Sequence, residues 1–139
     1  LDTPGGLLKS AERIVKDIMN SKVPVVTYIY PQGARAASAG VFIGYASHIL
    51  ALAPSTHIGA AHPVIGIGSW GRIDKVMKEK IMNDTLAWAE TIANTRGRNA
   101  LWIKDAVKKS VSIGRLDAKK LGVIDITARD LDDLLKKLD

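Results

Sequence analysis

An α/β fold with a mostly parallel sheet flanked by helices is what this sequence predicts, and two observations predict it. Short β-branched or apolar runs alternate with longer stretches whose apolar residues recur at helical spacing, an order that favours parallel strands joined by helices. The 139 residues suit one domain with a single core, and a composition of 47% apolar and 24% charged residues is ordinary for a globular chain.

Leu1 to Thr3 reads as the end of a strand, and an opening without methionine predicts further strands upstream. The expectation is one domain over 1–139, an N-terminally incomplete piece of a longer protein. After Pro4-Gly5-Gly6, apolar residues at Leu7, Leu8, Ala11, Ile14, Val15, Ile18 and Met19 mark one helical face, closed by Asn20-Ser21. Val23 to Tyr30 is β-branched and aromatic and reads as a buried strand. Pro31-Gln32-Gly33 turns the chain.

Ala36 to Pro54 is the most apolar stretch and approaches the length of a membrane span. Ser38, Ser47 and His48 interrupt it, and Gly40 and Gly44 suit close internal packing. It therefore reads as a buried helix over Ala36 to Ser47 followed by a strand from Ile49 to Ala53. Pro54 to Gly71 is expected to be mostly loop, and a long helix follows from about Ile73 to Ala93. Asn99 caps a further helix through Lys109. Leu116 to Leu121 forms a short helix closed by Gly122 in the left-handed region. Val123 to Thr127 is a last strand. Asp130 caps a final helix with Asp132 and Asp133 at its positive end and Lys136 and Lys137 at its negative end.

Several function classes are excluded by composition. There is no cysteine, so disulfides, thiolate metal sites and a cysteine nucleophile are ruled out. The net charge of +6 is spread along the helices, with three Trp, three Tyr and one Phe and no nucleic-acid motif, so nucleic acid is not an expected partner. His48, His57 and His62 match no zinc template, and no metal or cofactor is expected.

Three features could carry chemistry. In Gly33-Ala34-Arg35-Ala36-Ala37-Ser38-Ala39-Gly40, a serine among small residues stands where the chain enters a helix. Unpaired N–H groups and the helix dipole there favour a developing negative charge. Alternatively, the small residues only let the helix pack closely. Gly5 and Gly6, between a strand and a helix, let the backbone approach a ligand. The Gly6 and Ala39 N–H groups could then form a two-donor oxyanion hole. Lys80, at about 100° per residue, falls on a stripe with Ile73, Val76, Met77, Ile81, Asp84, Ala87 and Trp88, opposite Lys75 and Lys78. A lysine on a buried stripe is desolvated, which favours the neutral amine of a general base. A snorkelling side chain or a Lys80–Asp84 ion pair is the structural alternative. His48 is expected to be structural, whereas His62 could face the nucleophile.

Together these pieces resemble the ClpP/crotonase superfamily, and most closely the protease domain of NfeD-type membrane proteins, the stomatin-operon partners. The likeness runs from Leu1 to Leu138. Its carriers are Leu1-Asp2-Thr3-Pro4-Gly5-Gly6, Ala36-Ala37-Ser38-Ala39-Gly40, Ile58-Gly59-Ala60-Ala61-His62-Pro63, Glu79-Lys80-Ile81-Met82-Asn83-Asp84, Arg96-Gly97-Arg98-Asn99 and Leu121-Gly122-Val123-Ile124-Asp125.

The resemblance implies a ClpP/crotonase-like fold and a serine endopeptidase, with Ser38 as nucleophile, Lys80 as base and Gly6 and Ala39 as oxyanion donors. His62, which stands about where ClpP itself has a catalytic histidine, is the rival base. Stomatin-like membrane proteins are the implied substrates, and a cleft including Gly5, Val64, Ile65 and Ile67 would take their hydrophobic segments. Homodimers, and membrane anchorage through segments outside this chain with the domain itself extracytoplasmic, are also implied. A crotonase-type acyl-CoA enzyme and a non-catalytic peptide-binding module are the alternatives.

Overall fold

The apolar spacing of the opening residues is realised as α1, Leu8–Met19, in a computed structural model that describes residues 1–64 and 72–139. Ala11 and Val15 are buried, and Ile18 and Met19 pack against the same core. β1 is Val26–Ile29, shorter than the run from Val23 predicts. Pro24 has no N–H for a ladder. The Val25 N–H goes to His48 Nδ1 at 3.0 Å, so pairing starts at Val26 opposite Ile49, the first residue of β3, Ile49–Leu52. His48 is structural, as expected.

The stretch expected to form one helix from Ala36 divides in two. Arg35–Ala37 is a strand, β2, and α2 covers Ala39–Ala46. The cause is a partner expected to be loop: His57–Gly59 forms β4 and pairs with β2 in parallel. α3, Lys75–Arg96, starts where Asp74 accepts the Met77 N–H at 2.8 Å and ends at Gly97, φ 67. Asn99 caps α4, Ala100–Lys109, by accepting the Trp102 N–H at 2.9 Å.

Beyond α4 come β5, Ser112–Gly114, and α5, Arg115–Lys120, then Gly122 at φ 70. β6 is only Ile126–Thr127, although the expected strand began at Val123. The Val123 and Ile124 N–H groups instead donate back to the Ala118 carbonyl at the end of α5, at 2.9 and 3.3 Å. α6, Leu131–Leu138, carries the predicted Asp130 cap.

Among the described residues two three-stranded sheets result. The order β1-β3-β6 is parallel throughout; in β2-β4-β5 the first pair is parallel and β5 runs antiparallel to β4. Residues 1–3 join the two sheets. Leu1 N donates to Tyr28 O (2.7 Å) and Tyr30 N–H donates to Leu1 O (3.3 Å). On the other side, Thr3 N–H donates to Arg35 O (2.8 Å) and Ala37 N–H to Thr3 O (3.1 Å).

α2 is almost wholly buried, and its Phe42 ring stacks on Trp88 of α3 with centroids 4.5 Å apart. Arg98 anchors the far end of α2. It is only 5% exposed, and its Nη1 donates to the Tyr45 and Ser47 carbonyls, both at 2.8 Å. Its Nη2 meets the Asp125 carboxylate and the His48 carbonyl, so a cation sits where the helix dipole is negative. Burial also raises the pKa of the Tyr45 phenol, which stays protonated and donates to Asn99 O at 3.1 Å. The helix is held firmly at one end so that its other end can be placed accurately.

Candidate active site

That other end begins with a single-residue junction. Ser38 joins β2 to α2 with φ 54 and ψ −120, in a region that non-glycine residues avoid at a cost of about 1–3 kcal/mol. Its surroundings hold it there. The Ser38 N–H donates to Gly59 O at 3.0 Å, and Val41 N–H donates to Ser38 O at 3.0 Å. The Ser38 hydroxyl caps no N–H of α2, so the strained turn displays it rather than using it to satisfy the helix.

Gly5 comes down directly over this turn. Its φ is 124, and a Cβ built there would lie 2.6 Å from Ser38 Cβ and 3.1 Å from Oγ. Only glycine permits that approach. Thr3 shapes the segment, accepting the Gly5 N–H on Oγ1 at 3.1 Å. A Cβ at Gly40 would strike Thr3 Cγ2 at 2.6 Å, so the first turn of α2 lies flush on the same residue. Gly6, by contrast, has nothing within 4 Å of a built Cβ. Among the described residues neither the Gly6 N–H nor the Ala39 N–H has a backbone partner. Both residues line a narrow cleft with Ser38.

Leu8, Phe42, His62, Val64 and Thr85 form the rest of that cleft's principal walls. His62 is half-buried, with Nδ1 3.0 Å from the Val107 carbonyl. A carbonyl only accepts, so in this contact Nδ1 carries the hydrogen. Beside the cleft lies a groove of about 420 Å³ lined by Leu7, Leu8, Val64, Ile81 and Thr85 together with Lys9, Glu12 and Asp84.

The expected burial of Lys80 is not what the structure has. Lys80 is exposed, Lys78 is half-buried, and Val76 and Met77 are 74% and 44% exposed. The inward stripe of α3 runs through Ile81, Met82, Thr85, Trp88, Ala89 and Ile92. The expected stripe counts Val76 and Met77 as core residues, whereas both are exposed among the described residues, which turns the inward face away from Lys80. Lys80 lies five residues before Thr85, about 140° around the helix from it. The structure thus brings Ser38, Gly5, Gly6, Ala39, Val64 and His62 together and leaves Lys80 outside the cleft. Ile65 and Ile67 lie outside the described residues.

Thr85 and Phe42 were missed as site residues. Thr85 carried a usable signal, being a hydroxyl residue on an apolar stripe spaced with Ile81, Trp88 and Ala89. Phe42 carried none, since it reads simply as core.

Among proteins of known sequence, the chain is 44% identical over 137 residues to a membrane-bound protease of Pyrococcus horikoshii, covering 99% of this chain and 31% of that protein. It is 32% identical over 151 residues to the membrane protein NfeD1b of Bacillus subtilis, covering 99% of this chain and 32% of that protein. It thus spans about a third of the length of these curated relatives.

Among solved structures, it matches a membrane-bound stomatin-specific protease in a lysine-to-alanine mutant bound to a substrate peptide, with a TM-score of 0.89 and 41% identity. That match covers 99% of this chain and 62% of the other. A serine-to-alanine mutant of that protease gives a TM-score of 0.89, 41% identity and coverage of 99% and 66%. ClpP1 from Listeria monocytogenes, at a TM-score of 0.67, 20% identity and coverage of 96% and 73%, shares the fold. The family described as NfeD1b, N-terminal domain, matches residues 1–138, and the chain belongs to it.

Proposed function

We propose that this chain is the catalytic domain of a serine endopeptidase that cuts hydrophobic segments of stomatin-like membrane proteins. The observation that carries the reading is Ser38 in a strained strand-to-helix turn with a glycine pressed over it. A serine that needed only to cap α2 would bond its N–H groups, and Ser38 does not. A relative named as a stomatin-specific protease and solved with a substrate peptide supports the substrate class.

In this mechanism Ser38 Oγ bonds to the scissile carbonyl carbon while a base takes its proton. The Gly6 and Ala39 N–H groups hold the oxygen that becomes negative. The base then passes the proton to the leaving amine as the C–N bond breaks, and water releases the acyl group by the same steps. Lys80 is assigned as the base, supported by the mutants of a relative in which a serine and a lysine were each replaced by alanine. Its exposure in the single chain means that it must be carried to Ser38 and desolvated when peptide or a second chain is bound.

Val64 and Gly5 would contact the substrate, and Ile65 and Ile67, which lie outside the described residues, are proposed for the same role. The exposed Val76 and Met77 suit burial by a second copy in a homodimer. Among the described residues no helix is long and apolar enough to cross a membrane. Membrane association would come from segments outside this chain, with this domain on the extracytoplasmic side.

A specific observation favours one second reading: His62 shares the cleft with Ser38, and its Nδ1 donates to Val107 O at 3.0 Å. Fluorophosphonate labelling of Ser38, read by mass spectrometry, tests the peptidase class. An acyl-CoA enzyme or a passive peptide-binding module would give no adduct. Lys80→Ala and His62→Ala then separate the bases. Cleavage that survives Lys80→Ala but is lost in His62→Ala would overturn the lysine assignment.

A further inference from the structure

The segment that runs beside the nucleophile, Gly59 to His62, is tied down at each of its residues in turn. Gly59 O accepts the Ser38 N–H at 3.0 Å, the Ala60 N–H donates to Val111 O at 2.9 Å, and the Ala61 N–H donates to Ala106 O at 3.0 Å. The next tie comes from a side chain, with His62 Nδ1 3.0 Å from Val107 O. Pro63, which follows, brings no N–H of its own.

These ties hold a segment that would not keep its course unaided. Gly59 has φ 150 and Ala60 has φ 55, and a non-glycine residue in that region costs about 1–3 kcal/mol. The anchors lie at the end of α4. Ala106 and Val107 fall among its last four residues, whose carbonyls have no partner within the helix. Both residues are fully buried, where a carbonyl left unpaired costs about 1–3 kcal/mol. The imidazole therefore satisfies a terminal carbonyl of α4 and fixes the cleft wall with one bond.

The chemistry of that partner also bears on what the ring does. A histidine base gains from a carboxylate on Nδ1, which stabilises the imidazolium formed when the other nitrogen takes a proton. Val107 O orients the ring but carries no net charge. We infer that His62 is a positioning residue of the Ser38 site, tying the segment that receives the Ser38 N–H to the C-terminal end of α4, and that it is not the base. The inference rests on the peptidase reading with Lys80 as base.

The experiment compares His62→Ala and His62→Asn in peptide cleavage, with fluorophosphonate labelling of Ser38 run in parallel and nitrogen NMR of the imidazole in the native protein. Asparagine carries its amide nitrogen the same number of bonds from Cβ as Nδ1, so it can donate to Val107 O, but it has no basic nitrogen. A misplacement of about 1 Å can cost about 100-fold in rate, and with the backbone ties retained His62→Ala should lose about tenfold in kcat/KM. His62→Asn should recover most of that loss and keep the native shape of the pH–rate profile. A base would instead lose about 100–10,000-fold in both variants alike. An Asn variant no better than Ala, an Ala variant with native kcat/KM, or a native NMR spectrum with no hydrogen on Nδ1 would each overturn the inference. The NMR needs no variant and so decides even where His62→Ala does not fold. All of these outcomes leave the peptidase reading intact while Ser38 is still labelled, whereas absence of any Ser38 adduct in the native protein would overturn both.

Discussion

Replacing Gly5 by alanine should disable the site while leaving the domain folded, and the size of each effect can be worked from the contacts. The added Cβ would lie 2.6 Å from Ser38 Cβ, against about 3.5–4.0 Å for a comfortable carbon contact. The two backbones must therefore part by about 1 Å. Overpacking of this kind costs about 1–3 kcal/mol, and alanine held at the φ of 124 adds about 1–3 kcal/mol. Against a typical stability of about 5–15 kcal/mol, the domain remains folded but weakened.

The catalytic effect is expected to be larger. A misplacement of about 1 Å can lose about 100-fold in rate. Gly6, the next residue, carries the proposed oxyanion donor, and loss of such a donor is worth about 100–1000-fold. The assays are kcat/KM for peptide hydrolysis, the rate of fluorophosphonate labelling at Ser38, and urea unfolding. Gly6→Ala is the stability control, because its Cβ meets nothing within 4 Å and should shift unfolding by less than about 1 kcal/mol. If Gly5→Ala labels and turns over at the wild-type rate, the glycine does not position the oxyanion donor and the reasoning fails.

Three further outcomes follow from the structure. Ser38→Gly should abolish labelling yet raise stability by about 1 kcal/mol in urea unfolding, since glycine relieves the positive φ; a destabilised variant would contradict the strain described at that turn. Arg98→Ala should lower stability by about 1–3 kcal/mol, because it leaves the Tyr45 and Ser47 carbonyls without their donor, while the Asp125 carboxylate is 38% exposed and regains water; a loss well under 1 kcal/mol in thermal or urea melts would refute the anchoring role. Asp133 is held below its ordinary carboxylate pKa of 3.8, chiefly by the Arg129 N–H and then by Lys137. A depressed carboxylate pKa stabilises above the unfolded value and is lost as pH falls through the folded value. Protection of the α6 amides relative to their intrinsic exchange rates should thus fall on acidification below about pH 4, and do so less steeply in Asp133→Asn.

Much of the fold was legible because its helices carry their own signals. Asn99, Asp130, Gly97 and Gly122 mark boundaries by local chemistry, and each does so in the structure. The short strands were less legible. β4 and β5 have three residues each and exist because each finds the other: a Cβ at Gly59 would lie 2.3 Å from Val111 O, so the pair closes only on glycine. Nothing within either triplet announces that partner. Ser38, Gly5 and Gly6 were readable at the site because small residues around a turn point to close backbone approach. The side on which Lys80 stands was not readable, since periodicity reports a stripe and not whether anything lies against it. Val76 and Met77, in the first turn of α3, are exposed among the described residues.

The first three residues have a mechanical consequence. They are fastened to β1 through Tyr28 and Tyr30 and to β2 through Arg35 and Ala37, and the glycine pair hangs from their free end. A shear of one sheet against the other would therefore be felt along this short tether, at whose end Gly5 lies directly on Ser38.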